Sequence, residues 1–140
     1  MRFLPDHAMI AIAAICHIAI NSSPEGEKAC AGDICRALKV KQRYLETFFQ
    51  GARRAHLLRS VRGPKGGYTL ATDAELITVA DVLRVIDDVS TASDELSADP
   101  SIMKDAVKPM LDDAFLPAVA NLKRLTIADI CLRPIACAAE

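Results

Sequence analysis

Nine cationic side chains fall within thirty consecutive residues: Arg36, Lys39, Lys41, Arg43, Arg53, Arg54, Arg59, Arg62 and Lys65, with Glu46 the one acid among them. Charge of one sign at that density suits a polyanion, because each phosphate neutralised releases counterions. The formal net charge of −1 conceals it. Residues 1–71 hold 11 of the 17 Lys and Arg against 5 of the 18 acids, a net of +6, whereas residues 72–140 carry −7. A basic half joined to an acidic half points to a polyanionic partner for the first half only.

Thiols are the second chemistry. The five cysteines are Cys16, Cys30, Cys35, Cys131 and Cys137, with no close Cys-x-x-Cys pair. An odd count without an export signal fits reduced thiols in a cytoplasmic protein. Cys16, Cys30 and Cys35 are the candidates for redox chemistry, although Cys16 also suits a small buried hydrophobe. The Cys131 to Cys137 spacing is loose for a zinc knuckle, so no metal site is expected. His7 and His17 read as a surface residue and a helix-face residue. No glycine-rich nucleotide loop opens a helix, and no His-Glu zinc motif or nucleophile–base pair is visible. No catalytic residue is therefore assigned, and an enzyme is not expected.

The elements that must position these groups follow from patterning. Of the 140 residues, 51% are hydrophobic, but there are only four Phe, two Tyr and no Trp. The core must be Ala, Leu, Ile and Val, which favours packed helices. Asp6 is placed to cap a first helix whose apolar face holds Met9, Ile10, Ile12, Ala13, Ile15, Cys16, Ala19 and Ile20. The apolar run over 8–20 is too short to cross a bilayer. A short helix over Ala31–Leu38, a break near Lys39 and Val40, and a third helix over about 41–55 give the helix-turn-helix layout. Tyr44, Leu45, Phe48, Phe49 and Ala52 fall on the third helix's buried face. Lys41, Gln42, Arg43 and Glu46 occupy its exposed start. Two alternating segments, 57–62 and 68–71, flank Gly63-Pro64-Lys65-Gly66-Gly67 and predict a β-hairpin tipped by Arg62 and Lys65. Thr78-Val79-Ala80-Asp81 opens another helix with a capping-box pattern, and Thr126-Ile127-Ala128-Asp129 repeats it. Residues 90–104 read as a loop, although helical patterning begins by Ser101. Leu111, Phe115, Ala118, Leu122 and Leu125 form one stripe, either an intrachain core face or a dimer seam. Pro109 suits a helix start, and Pro117 must kink the helix or begin a new one. Asp81, Asp87 and Asp88 read as surface charges.

A recognition helix fits the major groove, and a hairpin beside it reaches the adjacent backbone or minor groove. The DNA-binding candidates are Arg36, Lys39, Lys41, Gln42, Arg43, Tyr44, Glu46, Arg53, Arg59, Arg62, Gly63, Pro64, Lys65 and Gly66. Gln42, Arg43 and Glu46 are the choices for base edges. Lys41 and Lys65 are the choices for phosphates.

Tyr44-Leu45-Glu46, Arg53-Arg54-Ala55, the run from Leu57 through Arg62-Gly63-Pro64-Lys65-Gly66-Gly67-Tyr68 to Ala71, and Ile77-Thr78-Val79-Ala80-Asp81-Val82 together resemble the Rrf2 family of winged helix-turn-helix transcription regulators. That family includes iron–sulfur and nitric-oxide responsive repressors. The resemblance implies a mainly α fold with a small β-hairpin, and a homodimer joined through a long C-terminal helix. It also implies sequence-specific binding of double-stranded DNA at a palindromic operator. The expected organisation is a DNA-binding domain over 1–89, a loop over 90–104, and a dimerisation helix with a short final helix over 105–140.

Three features depart from the family pattern. Cluster-bearing members place three cysteines in the loop after the Thr-Val-Ala-Asp helix, yet residues 90–104 contain neither Cys nor His. No cofactor is therefore expected, and an iron–sulfur cluster least of all. Gly51 stands where a helix former is usual, at about 1 kcal/mol relative to Ala. His56 replaces a glycine at the helix end, where histidine tolerates the left-handed conformation better than most residues. Two other readings stay open. One is a thiol-based redox or metal-responsive regulator. The other is a regulator controlled by an effector or a partner protein docked on the acidic half.

Overall fold

The computed structural model describes residues 4–90 and 100–133. In chain order these form α1 (Asp6–Asn21), α2 (Ala31–Leu38), α3 (Gln42–Arg54), β1 (Leu58–Val61), β2 (Gly67–Leu70) and α4 (Val79–Ser90). After the gap come α5 (Pro100–Ile102), a stretch of wider π-type turns (Met103–Val107), α6 (Lys108–Leu122) and α7 (Ile127–Cys131). One core gathers Ile15 and Ile18 of α1, Ile34 of α2, Leu45 and Phe49 of α3, Ile77 and Val82 at α4, and Ile127 of α7. Its aliphatic make-up is what the scarcity of aromatic residues demands.

The first helix departs from expectation twice. Pro5, not Asp6, is the residue before the helix, and its carbonyl accepts the Ala8 and Met9 amides. Asp6 is the first helical residue, where a carboxylate still complements the helix dipole. The face turned to the core is Ala8, Ala11, Ala14, Ile15 and Ile18, while Met9 and Ile20 are more than half exposed. Because α1 is apolar on both sides, periodicity alone does not fix its phase. The three alanines let it approach the core closely.

Helices α2 and α3 lie within a residue of their expected bounds. Lys39 ends α2 in the left-handed conformation at φ 56°, and the Val40 amide closes the turn on the Cys35 carbonyl at 3.0 Å. His56 does the same after α3 at φ 60°, the conformation its replacement of glycine requires. Thr72 Oγ1 donates to the His56 carbonyl at 2.8 Å and so ties the hairpin's exit to the end of α3.

The two Thr-x-Ala-Asp segments are both capping boxes. The Thr78 amide donates to Asp81 Oδ2 at 3.0 Å and the Asp81 amide to Thr78 Oγ1 at 3.1 Å; Thr126 and Asp129 match these bonds at the same distances. Asp81 is thus a half-buried cap that also stands 3.7 Å from Arg84, and not a bystander surface charge. The two boxes also bond to each other. The Val79 amide donates to the Leu125 carbonyl at 2.9 Å and the Ile127 amide to the Ile77 carbonyl at 2.8 Å. This antiparallel bridge between Thr78 and Thr126 joins the starts of α4 and α7.

The expected 90–104 loop is shorter at both ends. Ser90 closes α4, and helix resumes at Pro100, so residues 100–104 are helical. Residues 91–99 lie outside the described set. Pro109 occupies the first turn of α6, and the helix runs on through Pro117, whose missing amide leaves the Asp113 carbonyl without its helical donor.

Candidate nucleic-acid interface

The hairpin's position depends on two glycines. Strands β1 and β2 pair in the register Leu58↔Leu70, Arg59↔Thr69, Ser60↔Tyr68 and Val61↔Gly67. A β-carbon on Gly66 would fall 2.2 Å from the Val61 carbonyl oxygen, inside the turn. One on Gly67 would fall 2.6 Å from the Ala29 carbonyl oxygen. That second contact exists because the hairpin is latched to the segment before α2. The Ala29 amide donates to the Tyr68 carbonyl at 2.9 Å, and the Tyr68 amide to the Ala29 carbonyl at 2.8 Å. The Tyr68 ring lies 4.5 Å from the Phe49 ring of α3. Backbone bonds to the start of α2 and a ring contact to α3 therefore fix the hairpin against the helix-turn-helix.

Arg62, Gly63, Pro64 and Lys65 are exposed at the hairpin's tip, and Gly66 is half-buried beneath them. Gly63 takes φ 118°, the conformational freedom the turn needs. At the other end of the surface, Lys41, Gln42, Arg43, Glu46 and Lys39 are all exposed. Lys41 precedes α3 without a side-chain cap, and the start of such a helix suits an anion such as a phosphate. Arg36 holds Asp33 at 2.8 Å, with both side chains mostly exposed. Such pairs contribute little stability, so Arg36 remains available to a phosphate.

Between these ends the structure brings Arg53, Arg54 and Arg59 around one open groove of about 630 Å³, completed by Gln50, Leu58 and Ser60. Sequence reading missed Gln50. Its signal was helical spacing, since it stands one turn before Arg53 and Arg54 on the exposed side of α3. Tyr44 corrects an expectation: its side chain is 62% exposed and does not face the core. It borders a small depression with His7, Ala11 and Ile86. Gly51 lies towards α4, where it shares a cavity with Val85 and Asp88. The missing side chain is therefore lost mainly from the α3–α4 contact.

The thiols occupy other places. Cys30 is exposed just before α2, and Cys35 is buried within it, where burial and the Glu46 carboxylate raise its pKa. Cys16 meets Cys131, a neighbour that the sequence did not suggest. Cys137 lies outside the described residues.

A helix-turn-helix with a latched, glycine-edged hairpin and a cationic surface along both defines a winged-helix DNA-binding protein. The chain belongs to the Rrf2 family: residues 4–133 match its profile, described as an iron-dependent transcriptional regulator. The regulator CymR of Bacillus subtilis is 33% identical over 95 residues, covering 63% of this chain and 69% of the relative. IscR of Escherichia coli O1:K1 is 37% identical over 85 residues, covering 61% of this chain and 51% of that protein, so the match spans about half of it. The solved structure of T. potens IscR superimposes with a TM-score of 0.69 at 25% identity, over 92% of this chain and 85% of the other. These relatives are transcription regulators, not enzymes. Among the described residues no helix is long and apolar enough to cross a membrane.

Proposed function

We propose that this chain is a sequence-specific DNA-binding regulator that acts in the cytoplasm as a homodimer on a two-fold operator. The observation that carries the reading is the latch. Because Tyr68 is bonded to Ala29 and stacked on Phe49, the hairpin that carries Arg62 and Lys65 is held at a set position beside α3. In this reading α3 enters the major groove, Gln42, Arg43 and Glu46 meet base edges, and the hairpin tip meets the backbone or minor groove. Arg53, Arg54 and Arg59 line a groove suited to a phosphate. The dimer is supported by α6, in which Leu111 and Phe115 remain half exposed and no described side chain is buried.

The same reading has no iron–sulfur cluster, because the donors do not fit one. Residues 90–104 supply no thiolate or imidazole. Among the described residues no three potential ligands gather in one place. A cluster needs several thiolates together.

A salt titration of duplex binding tests the proposal. Each phosphate contact adds about 0.9 to the slope of log affinity against log salt. Replacing Arg62 and Lys65 together by Ala is expected to lower that slope by about 2 and to weaken binding across all sequences. Arg43→Ala is expected to cost about 1–3 kcal/mol and to relax preference at one base pair. An unchanged slope and affinity in the double variant would overturn the assignment.

A further inference from the structure

Cys16 and Cys131 are 115 positions apart in the chain yet meet where α7 packs on α1. The Cys131 Sγ–H donates to the Cys16 carbonyl at 3.9 Å, which sets the second sulfur against the residue that carries the first. Both are free and half-buried. Cys16 also lines an open, almost wholly apolar groove of about 630 Å³, bordered by Met9, Ile12, His17, Leu122 and Leu125. The groove gives a small uncharged molecule a path to Cys16.

We infer that Cys16 and Cys131 are a peroxide-oxidisable pair whose disulfide staples α7, and with it the exit from α6, to the DNA-binding unit. This goes beyond DNA binding and does not depend on it. The oxidant is hydrogen peroxide or a small organic hydroperoxide. One thiol sulfur attacks the peroxide, the O–O bond breaks, and the leaving oxygen departs as water (or the alcohol) with the thiol proton. The resulting sulfenic acid is attacked by the second sulfur. The S–S bond forms, the S–OH bond breaks, and a second water leaves with the second thiol's proton. Two thiols lose two electrons and the peroxide gains them. Burial and the neighbouring Cys131 push the Cys16 thiol up to about 12. Cys16 is thus a thiol at neutral pH, so it gives up its proton as its sulfur forms the new bond. Thiol–disulfide exchange with a dithiol reverses the bond.

The test uses the full chain, treated with equimolar hydrogen peroxide and digested by trypsin without reductant. Fragment 3–28, whose one cysteine is Cys16, is expected to be joined to fragment 125–140, and dithiothreitol should separate them. Fragmentation of the linked pair from the unaltered protein assigns the partner as Cys131 or Cys137, so the result does not depend on a variant folding. Cys137→Ser should retain the link and Cys131→Ser should abolish it. Oxidation is expected to raise the Tm by about 5–10 °C in the unaltered protein but not in Cys131→Ser. A link to Cys137, a Cys30–Cys35 bond in its place, intermolecular products alone, or no disulfide would each overturn the inference.

Discussion

Glycine 67 illustrates how much of this surface depends on a side chain being absent. Its missing β-carbon lets the hairpin touch the Ala29 backbone, and the obstacle to any larger residue is a carbonyl that cannot swing away. Gly67→Ala is expected to lower stability by about 1–3 kcal/mol, the usual cost of overpacking. Urea denaturation measures that loss. DNA affinity should fall as well, because the substitution acts on the latch. Gly63→Ala is the contrast, since its new carbon meets nothing within 4 Å and bears only the cost of a positive φ. If the two variants lost equal stability and affinity, the latch would not be what positions the hairpin. The Gly-Gly pair was legible in the sequence as a turn. That Gly67 also serves a second contact, with Ala29, was not, because the contact joins segments almost forty residues apart.

Elements were legible where their signal is local. The bounds of α2 and α3 and the hairpin emerge from apolar periodicity, the break near Lys39 and Val40, alternation and glycine placement, all written in adjacent residues. The phase of α1 was not legible, since a helix apolar on both sides gives periodicity little to select. The pairing of the two capping boxes was also hidden. Each box is a local pattern, but their mutual bridge is a tertiary fact linking Thr78 to Thr126. Thr78→Ala and Thr126→Ala are each expected to cost about 1 kcal/mol as lost caps. Since the capped starts share backbone bonds, the double variant should depart from additivity by about 0.5 kcal/mol or more, as contacting sites do. A denaturation double-mutant cycle measures this, and strict additivity would show two independent caps. The second box also gives acid sensitivity a direction. Bonds from Thr126 hold the Asp129 carboxyl below its ordinary value of 3.8. A depressed native pKa stabilises the fold above the unfolded value, and that contribution is lost as pH falls through and below 3.8. Asp129→Asn should therefore flatten part of the acid limb.

On the scale of the whole molecule, charge and apolar surface are segregated. The +6 half carries the helix-turn-helix and the hairpin, and the −7 half carries α6, whose apolar stripe is left largely exposed by the described residues. Met110 and Leu116 lie outside the expected stripe and are 73% and 65% exposed, so the uncovered surface is wider than the heptad-like pattern suggested. Leu122 departs from its fellows: it is half-buried and borders the groove along α1, so charging it would also disturb the single chain. Phe115 is the cleaner probe, half exposed and remote from the core. Phe115→Asp is expected to leave the unfolding midpoint of the DNA-binding unit nearly unchanged while shifting the sedimenting species from twice 15.1 kDa to 15.1 kDa. Two recognition helices joined in a dimer bind their half-sites at high effective concentration, an advantage of about 100-fold or more over separate modules. Affinity for a two-fold site should fall by that factor, while affinity for an isolated half-site stays as it was. That divergence ties the loss to assembly and not to damage at the DNA surface. A variant that remains dimeric at micromolar concentration with undiminished affinity would place the seam elsewhere than α6.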